Sequence, residues 1–215
     1  MSLQRDIFKE SEGDAWYKRN EQTLTTRDWS QDSVCIKLSE ILDVAENVSI
    51  LEIGCGNGAR LKYLADNHNC IVFGIDPSAE AVFKANGFGI SALQATADNL
   101  PYSDCTFDIV IFGFCLYLCD DSDLFRIAQE ADRVLKSKAW LLILDFDSQA
   151  PIYREYHHCQ GVRSRKMDCK SLFTWHPAYT IVSQQKFHHE TQQWTDNPNH
   201  WVSLSCLRKS LADES

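Results

Sequence analysis

The sequence predicts an α/β fold: a doubly wound, mostly parallel sheet with an antiparallel hairpin at one edge. Between residues 48 and 146, short runs rich in Val, Ile, Leu and Phe alternate with segments whose apolar residues recur at helical spacing. Glycine-rich or Asp-Pro turns separate several of these runs. After Asp147 the helical segments stop, and two final strand-like runs follow with no helix between them. That order gives a βα alternation ending in a β pair.

Residues 6–22 are polar, with Trp16 and Tyr17 among them, and read as a short helix. Ser30 or Asp32 can cap a helix whose apolar positions are Val34, Leu38, Ile41, Leu42 and Ala45. Val48–Ile53 is a strand ending at glycines, Ala59–Asn67 a helix, and Ile71–Ile75 a strand closed by Asp76 and Pro77. Ser78 can cap a helix that runs to Asn86, with Gly87 as its stop. Ile90–Ala95 is a weaker strand and Phe107–Phe114 a strongly apolar one. Asp121 or Ser122 caps a helix through Lys136, with Leu124, Ile127, Ala128, Ala131 and Leu135 on one face. The continuous apolar run Ala139–Phe146 suits a strand buried on both faces. Residues 148–178 read as irregular, aromatic and basic; Tyr179–His188 and His200–Arg208 are the final strands, joined by a link containing Asn197 and Pro198.

The chain has 215 residues, a length that suits one domain over 1–215. Its formal charge of -9 provides no global basic field for nucleic acid or an anionic membrane. Nine cysteines, odd in number and irregular in spacing, argue against a disulfide framework, and the lack of a CxxC pair argues against a zinc site. Together they predict a reducing, cytoplasmic setting. The polar stretch Met1–Glu10 does not read as a signal peptide, and no apolar run reaches membrane-span length.

The central motif is Leu51-Glu52-Ile53-Gly54-Cys55-Gly56-Asn57-Gly58, at the end of the first predicted sheet strand and the start of a helix. Glycines let the backbone turn sharply and approach a ligand, and the carboxyl end of such a strand is where open α/β sheets bind ligands. Gly54-x-Gly56-x-x-Ala59 also satisfies a loose dinucleotide fingerprint, with Asp76 as the ribose-binding acid in either case. Glu52 favours a cationic ligand over a pyrophosphate, because its charge lies two residues before the first glycine. The terminal hairpin, in place of a second βαβαβ half, points the same way.

With Gly74-Ile75-Asp76-Pro77-Ser78, Ala97-Asp98-Asn99-Leu100-Pro101 and Phe107-Asp108-Ile109-Val110 in order after it, the sequence resembles class I S-adenosylmethionine-dependent methyltransferases of the small-molecule type, over roughly residues 30–147 and more weakly to 209. The resemblance implies a Rossmann-like seven-stranded sheet in the order 3-2-1-4-5-7-6, with helices on both faces. It also implies S-adenosylmethionine as cofactor and S-adenosylhomocysteine as product. Gly54, Cys55, Gly56 and Gly58 would shape the wall beside the methionine part, and Glu52 would orient its ammonium. Asp76 would accept the ribose hydroxyls, with Pro77 and Ser78 flanking the adenine. Asp98 would accept from the adenine amino group, with Ala97 or Asn99 donating a backbone N–H. Phe112, Gly113 and Phe114 would lie beside the sulfonium, although Phe112 and Phe114, two apart, equally suit core packing.

Residues 1–30, with Tyr17, would form a lid over the cofactor, and 148–178 an insertion on the acceptor side. Tyr117, just after the fourth strand, and His157, beside His158, are the candidate catalytic groups. Arg163 and Arg165, in a segment that also holds Arg154 and Lys166, are the candidate substrate residues and suggest an anionic or sugar-linked small-molecule acceptor. No metal, nucleic acid or membrane partner is expected. The rival readings are an NAD-dependent oxidoreductase and a noncatalytic module that binds S-adenosylmethionine.

Overall fold

Residues 3–42 and 47–210 are described in the computed structural model. An N-terminal arm comes first: α1 (Gln4–Ile7), a π-helical turn (Phe8–Glu12) and α2 (Gly13–Thr26) run on without a break. The predicted helix at 6–22 is therefore longer at both ends. α3 (Ser33–Leu42) is capped by Asp32, whose Oδ1 accepts from the N–H groups of Val34 and Cys35 at 3.1 and 3.2 Å. Ala45, assigned to this helix from its spacing, lies outside the described residues.

The alternating part follows as β1 (Val48–Ile53), α4 (Ala59–Asn67), β2 (Cys70–Asp76), α5 (Ala79–Gly87), β3 (Ser91–Gln94), β4 (Phe107–Gly113), α6 (Leu124–Val134) and β5 (Leu135–Phe146). Beyond it lie β6 (Ile152–Glu155), β7 (Arg163–Lys166), α7 (Ser171–Thr174), β8 (Tyr179–His188) and β9 (Trp201–Lys209). Seven strands form one sheet in the order β3-β2-β1-β4-β5-β9-β8. This is the expected order, with β8 and β9 as the sixth and seventh strands. Pairing is parallel from β3 to β5 and antiparallel in β5–β9 and β9–β8.

Successive residues of the central strands feed opposite cores, as a period of two requires. Leu51, Val110, Phe112, Leu141 and Ile143 pack with Ile127, Ala131 and Val134 of α6 and Phe173 of α7. Ile50, Ile109, Ile111, Leu142 and Leu144 pack with α3, α4 and α5 through Leu38, Leu61, Leu64, Val82 and Ala85. Helices thus cover both faces, which is why these strands are continuously apolar.

Three local expectations are corrected. Gly87 remains inside α5, and the left-handed position is Gly89 at φ 82°, where Ile90 N–H bonds back to Ala85 O at 3.1 Å and Gly89 N–H to Asn86 O at 3.0 Å. Neither Asp121 nor Ser122 caps α6: Asp123 occupies the cap position without a side-chain cap bond, and the chain turns into β5 at Leu135. Residues 148–178 are not irregular throughout, since β6 and β7 pair as an antiparallel hairpin and α7 follows.

Candidate active site

Ile53 pairs with Ile75 on one side and Phe112 on the other, so the carboxyl ends of β1, β2 and β4 lie together. The chain leaves β1 through Gly54, Gly56 and Gly58, with φ of 77, 53 and 72°, a region that favours glycine. The N–H groups of Gly54 and Cys55 both donate to Ile75 O, which folds the turn across the end of β2. Gly56 N–H and Ser78 N–H, each at 2.9 Å, donate to the two carboxylate oxygens of Asp76. Burial nonetheless pushes the Asp76 carboxyl up to about 6, because two backbone donors only partly replace water.

Two adjoining cavities open from this point, and a third adjoins the second farther out. The inner one is walled by Gly54, Asp76, Pro77, Ala97, Asp98, Gly113 and Phe114, with Thr96, which sequence reading did not select. The arm roofs it with Arg5, Phe8, Gly13 and Trp16. Arg5 Nη1 reaches Asp98 at 3.0 Å and Asp123 at 2.9 Å. Asp14 Oδ1 accepts from Ser78 Oγ at 2.6 Å and Glu80 N–H at 3.0 Å, fastening the arm to the start of α5.

Eight predicted cofactor residues lie outside the inner cavity walls; Glu52, Cys55 and Gly56 line a second, middle cavity, and five line neither. Tyr17 is buried and donates to Glu21 at 3.0 Å, and burial pushes its phenol up to about 12; its neighbour Trp16 faces the cavity instead. Ser78 is spent on capping α5, accepting from Ala81 N–H. Asn99 is exposed, Gly58 packs against Ala85 and Ile90, and Phe112 is fully buried against Phe173.

The middle cavity carries Glu52, Cys55, Gly56 and Arg60 on one wall and Trp16, Tyr117, Phe146, Tyr156, His157 and His189 on others. Glu52 Oε1 is paired with Arg60, while Oε2 is buried without a partner. Burial raises the Glu52 carboxyl, and the Arg60 guanidinium opposes that rise. Arg60 Nε also donates to Asp32 Oδ1 at 3.1 Å, and Arg27 reaches Asp32 Oδ2 at 2.8 Å. This interior network rests on Gly113: a Cβ there would lie 2.5 Å from Glu52 Oε1 and 2.6 Å from Arg60 Nη1. Arg60 escaped the sequence reading because an arginine within a helix carries no local sign of burial.

Tyr117 stands between this cavity and a third, at the rim. Its hydroxyl accepts from Trp16 Nε1 at 3.2 Å, and its ring meets Phe146 edge-on at 5.1 Å. Burial pushes the phenol well above its ordinary value, so at neutral pH Tyr117 keeps its proton and is not a ready base. Its N–H donates to Asp145 Oδ2 at 3.3 Å, and Asp145, buried beneath, is itself pushed up to about 7 by desolvation. His157 is exposed and lines both the middle and rim cavities, as does His189, for which no sequence motif spoke. Burial lowers the His189 pKa and favours a neutral imidazole.

The candidate substrate arginines are placed otherwise than expected. Arg163 is exposed, pairs with Glu155 at 3.4 Å and lines none of the three cavities. Arg165 is buried and donates to the carbonyls of Leu116 at 2.8 Å and Cys119 at 3.2 Å, and pairs with Asp121. It bolts the β6–β7 hairpin to the turn that carries Tyr117. All nine cysteines are free thiols. Among the described residues no group of three or more His, Cys, Asp or Glu could hold a metal, and no helix is long and apolar enough to cross a membrane.

Residues 51–143 match the family model described as a methyltransferase domain. The chain is 28% identical over 157 residues to an uncharacterized methyltransferase, YcgJ, of Bacillus subtilis, covering 67% of this chain and 59% of that protein. It is 30% identical over 118 residues to a 27-O-demethylrifamycin SV methyltransferase of Amycolatopsis mediterranei, covering 51% and 43%. The chain therefore spans less than two thirds of the length of either relative. Among solved structures, a Burkholderia thailandensis 1,6-didemethyltoxoflavin-N1-methyltransferase with bound S-adenosylhomocysteine is similar at a TM-score of 0.72 and 15% identity, covering 96% of this chain and 88% of that one. A SAM-dependent methyltransferase from Methanosarcina mazei is similar at 0.67 and 19%, covering 81% and 97%. At these identities the structural likeness speaks for the fold.

Proposed function

We propose that this chain, whose residues 51–143 match a methyltransferase domain, is a class I S-adenosylmethionine-dependent methyltransferase that transfers the methyl group to a small anionic acceptor. The observation that carries this reading is the pairing of two carboxylates across one glycine turn. Asp76 stands at the end of β2 in the inner cavity, and Glu52, with one oxygen unpartnered, lines the middle one. An adenosine end with hydroxyl donors suits the first, and a cationic amino-acid end suits the second. A pyrophosphate would have to lie beside the Glu52 charge, which argues against a dinucleotide.

S-adenosylmethionine supplies the electrophilic methyl group, so the protein's own work is placement, exclusion of water and proton removal. Gly54, Gly113 and Phe114 line both the inner and middle cavities and mark their junction. There the arm, through Trp16, covers the site as a lid. Trp16 and Phe146 hold the Tyr117 ring in place. In this reading Tyr117 donates a hydrogen bond to orient the acceptor. An imidazole, from His157 or His189, takes the proton when the acceptor is a hydroxyl. Cavities partly covered by the arm favour a small molecule over a polymer, and the charge of -9 agrees.

Calorimetric titration with S-adenosylhomocysteine, beside an NAD control, tests the reading. Binding of the first alone is expected. Binding of NAD alone would return the glycine turn to a dinucleotide site and remove the methyltransferase mechanism with it.

A further inference from the structure

The β6–β7 hairpin divides its charges between two faces. Arg163 and Arg165 share one, and both are engaged as described. On the other, Ile152 pairs with Lys166 and Arg154 with Ser164, so Arg154 and Lys166 are diagonal neighbours across the two strands. Both line the rim cavity, which adjoins the middle cavity along Tyr117, Phe146 and His157.

Neither cation has a carboxylate partner among the described residues. Lys166 Nζ donates to the Asn199 carbonyl at 2.5 Å and lies 4.8 Å from the centre of the Phe146 ring. The carboxylate in the cavity wall, Glu155, is paired with Arg163. Partial burial, and then the charge of Arg154, lower the Lys166 pKa, as expected of two like charges held together without a counter-ion. Arg165, also in the cavity wall, is already paired with Asp121, although its Nε is buried without a partner. Two neighbouring cations with no carboxylate partner among the described residues leave their donors free to meet an anion that enters the cavity.

We infer that Arg154 and Lys166 form an anion subsite that holds a carboxylate or phosphate group of the methyl acceptor, next to the aromatic patch of Tyr117 and Phe146. This rests on the methyltransferase reading and deepens it. Phe146 connects the two ends of the acceptor path: its ring lies 5.5 Å from that of Phe114 at the cofactor junction and beneath Lys166 at the rim. An aromatic acceptor with an anionic substituent fits that path.

The test uses the full chain saturated with S-adenosylhomocysteine, whose binding is measured first. Benzoate, phenyl phosphate and neutral benzyl alcohol are then titrated by calorimetry. At least one anion is expected to bind more tightly than benzyl alcohol by about tenfold or more, and the order of the two anions tells carboxylate from phosphate. Arg154→Gln with Lys166→Gln removes this preference, whereas Arg163→Gln keeps it. Equal affinity for charged and neutral probes overturns the subsite, and so does a preference that survives the double substitution. Should the double variant fail to fold, Arg154→Gln alone, at an exposed position, still lowers the preference by about threefold; an unchanged preference again overturns it. Loss of S-adenosylhomocysteine binding by the unaltered chain would instead refute the cofactor reading.

Discussion

Asp76 shows how one side chain couples folding to ligand binding. Desolvation raises its carboxyl from 3.8 to about 6, against the pull of two backbone donors. In the free protein the ionised form is disfavoured, so the penalty is present above pH 6 and relieved as pH falls from 6 towards 4. Ribose hydroxyls need the ionised form as acceptor. Affinity for S-adenosylhomocysteine is therefore expected to fall as pH drops below about 6, and Asp76→Asn to weaken binding by more than about tenfold and flatten that profile. Calorimetry across pH 5 to 8 reads both, and an unchanged profile in the variant would remove Asp76 from the site. The acid was legible because its turn, Asp76-Pro77-Ser78, follows a strand. Its neighbours were less so: Tyr17 and Trp16 are adjacent in sequence, and only the angle of the arm decides that Trp16 faces the cavity.

At the scale of elements, the β6–β7 hairpin has the largest consequence. Its strands are four residues each and mostly polar, so no apolar alternation announced them. The hairpin is held by side chains from distant parts of the chain. Gln4 Oε1 accepts from Arg163 N–H at 2.6 Å, and Gln4 Nε2 donates to the Leu118 carbonyl at 2.7 Å, tying arm, hairpin and Tyr117 turn together. Arg165 makes the second tie. Arg165→Met keeps the bulk but strands two carbonyls, at a cost of about 1–3 kcal/mol. Urea unfolding is expected to show that loss, with S-adenosylhomocysteine affinity changed less than about threefold, since Arg165 lines neither the inner nor the middle cavity. An unchanged midpoint would mean that the hairpin does not depend on this guanidinium.

In the whole molecule, the rigid sheet presents the site and the arm covers it. The two cores fix the ends of β1, β2 and β4, whereas the arm is attached through a small apolar cluster of Phe8 with Leu118 and Val162 and through polar contacts from Gln4, Arg5, Asp14 and Trp16. Elements held in this way open at lower free energy than the core. Saturating S-adenosylhomocysteine is expected to slow amide exchange across residues 8–26 by about tenfold or more, while the strands change little. Equal rates with and without ligand would show that the arm does not close over the cofactor.

By itself, the sequence determined the strand and helix alternation, the edge hairpin, and the glycine turn with its two acids. Those features depend on local periodicity and backbone freedom, which each segment carries alone. Only the tertiary structure decided which side chains face the ligand. Phe112 went to the core and Arg165 to backbone carbonyls, while Arg60 and His189 came to the cavities from helix and turn positions that gave no warning. Side-chain direction at these places is set by packing between elements far apart in the chain, and local spacing does not encode that packing.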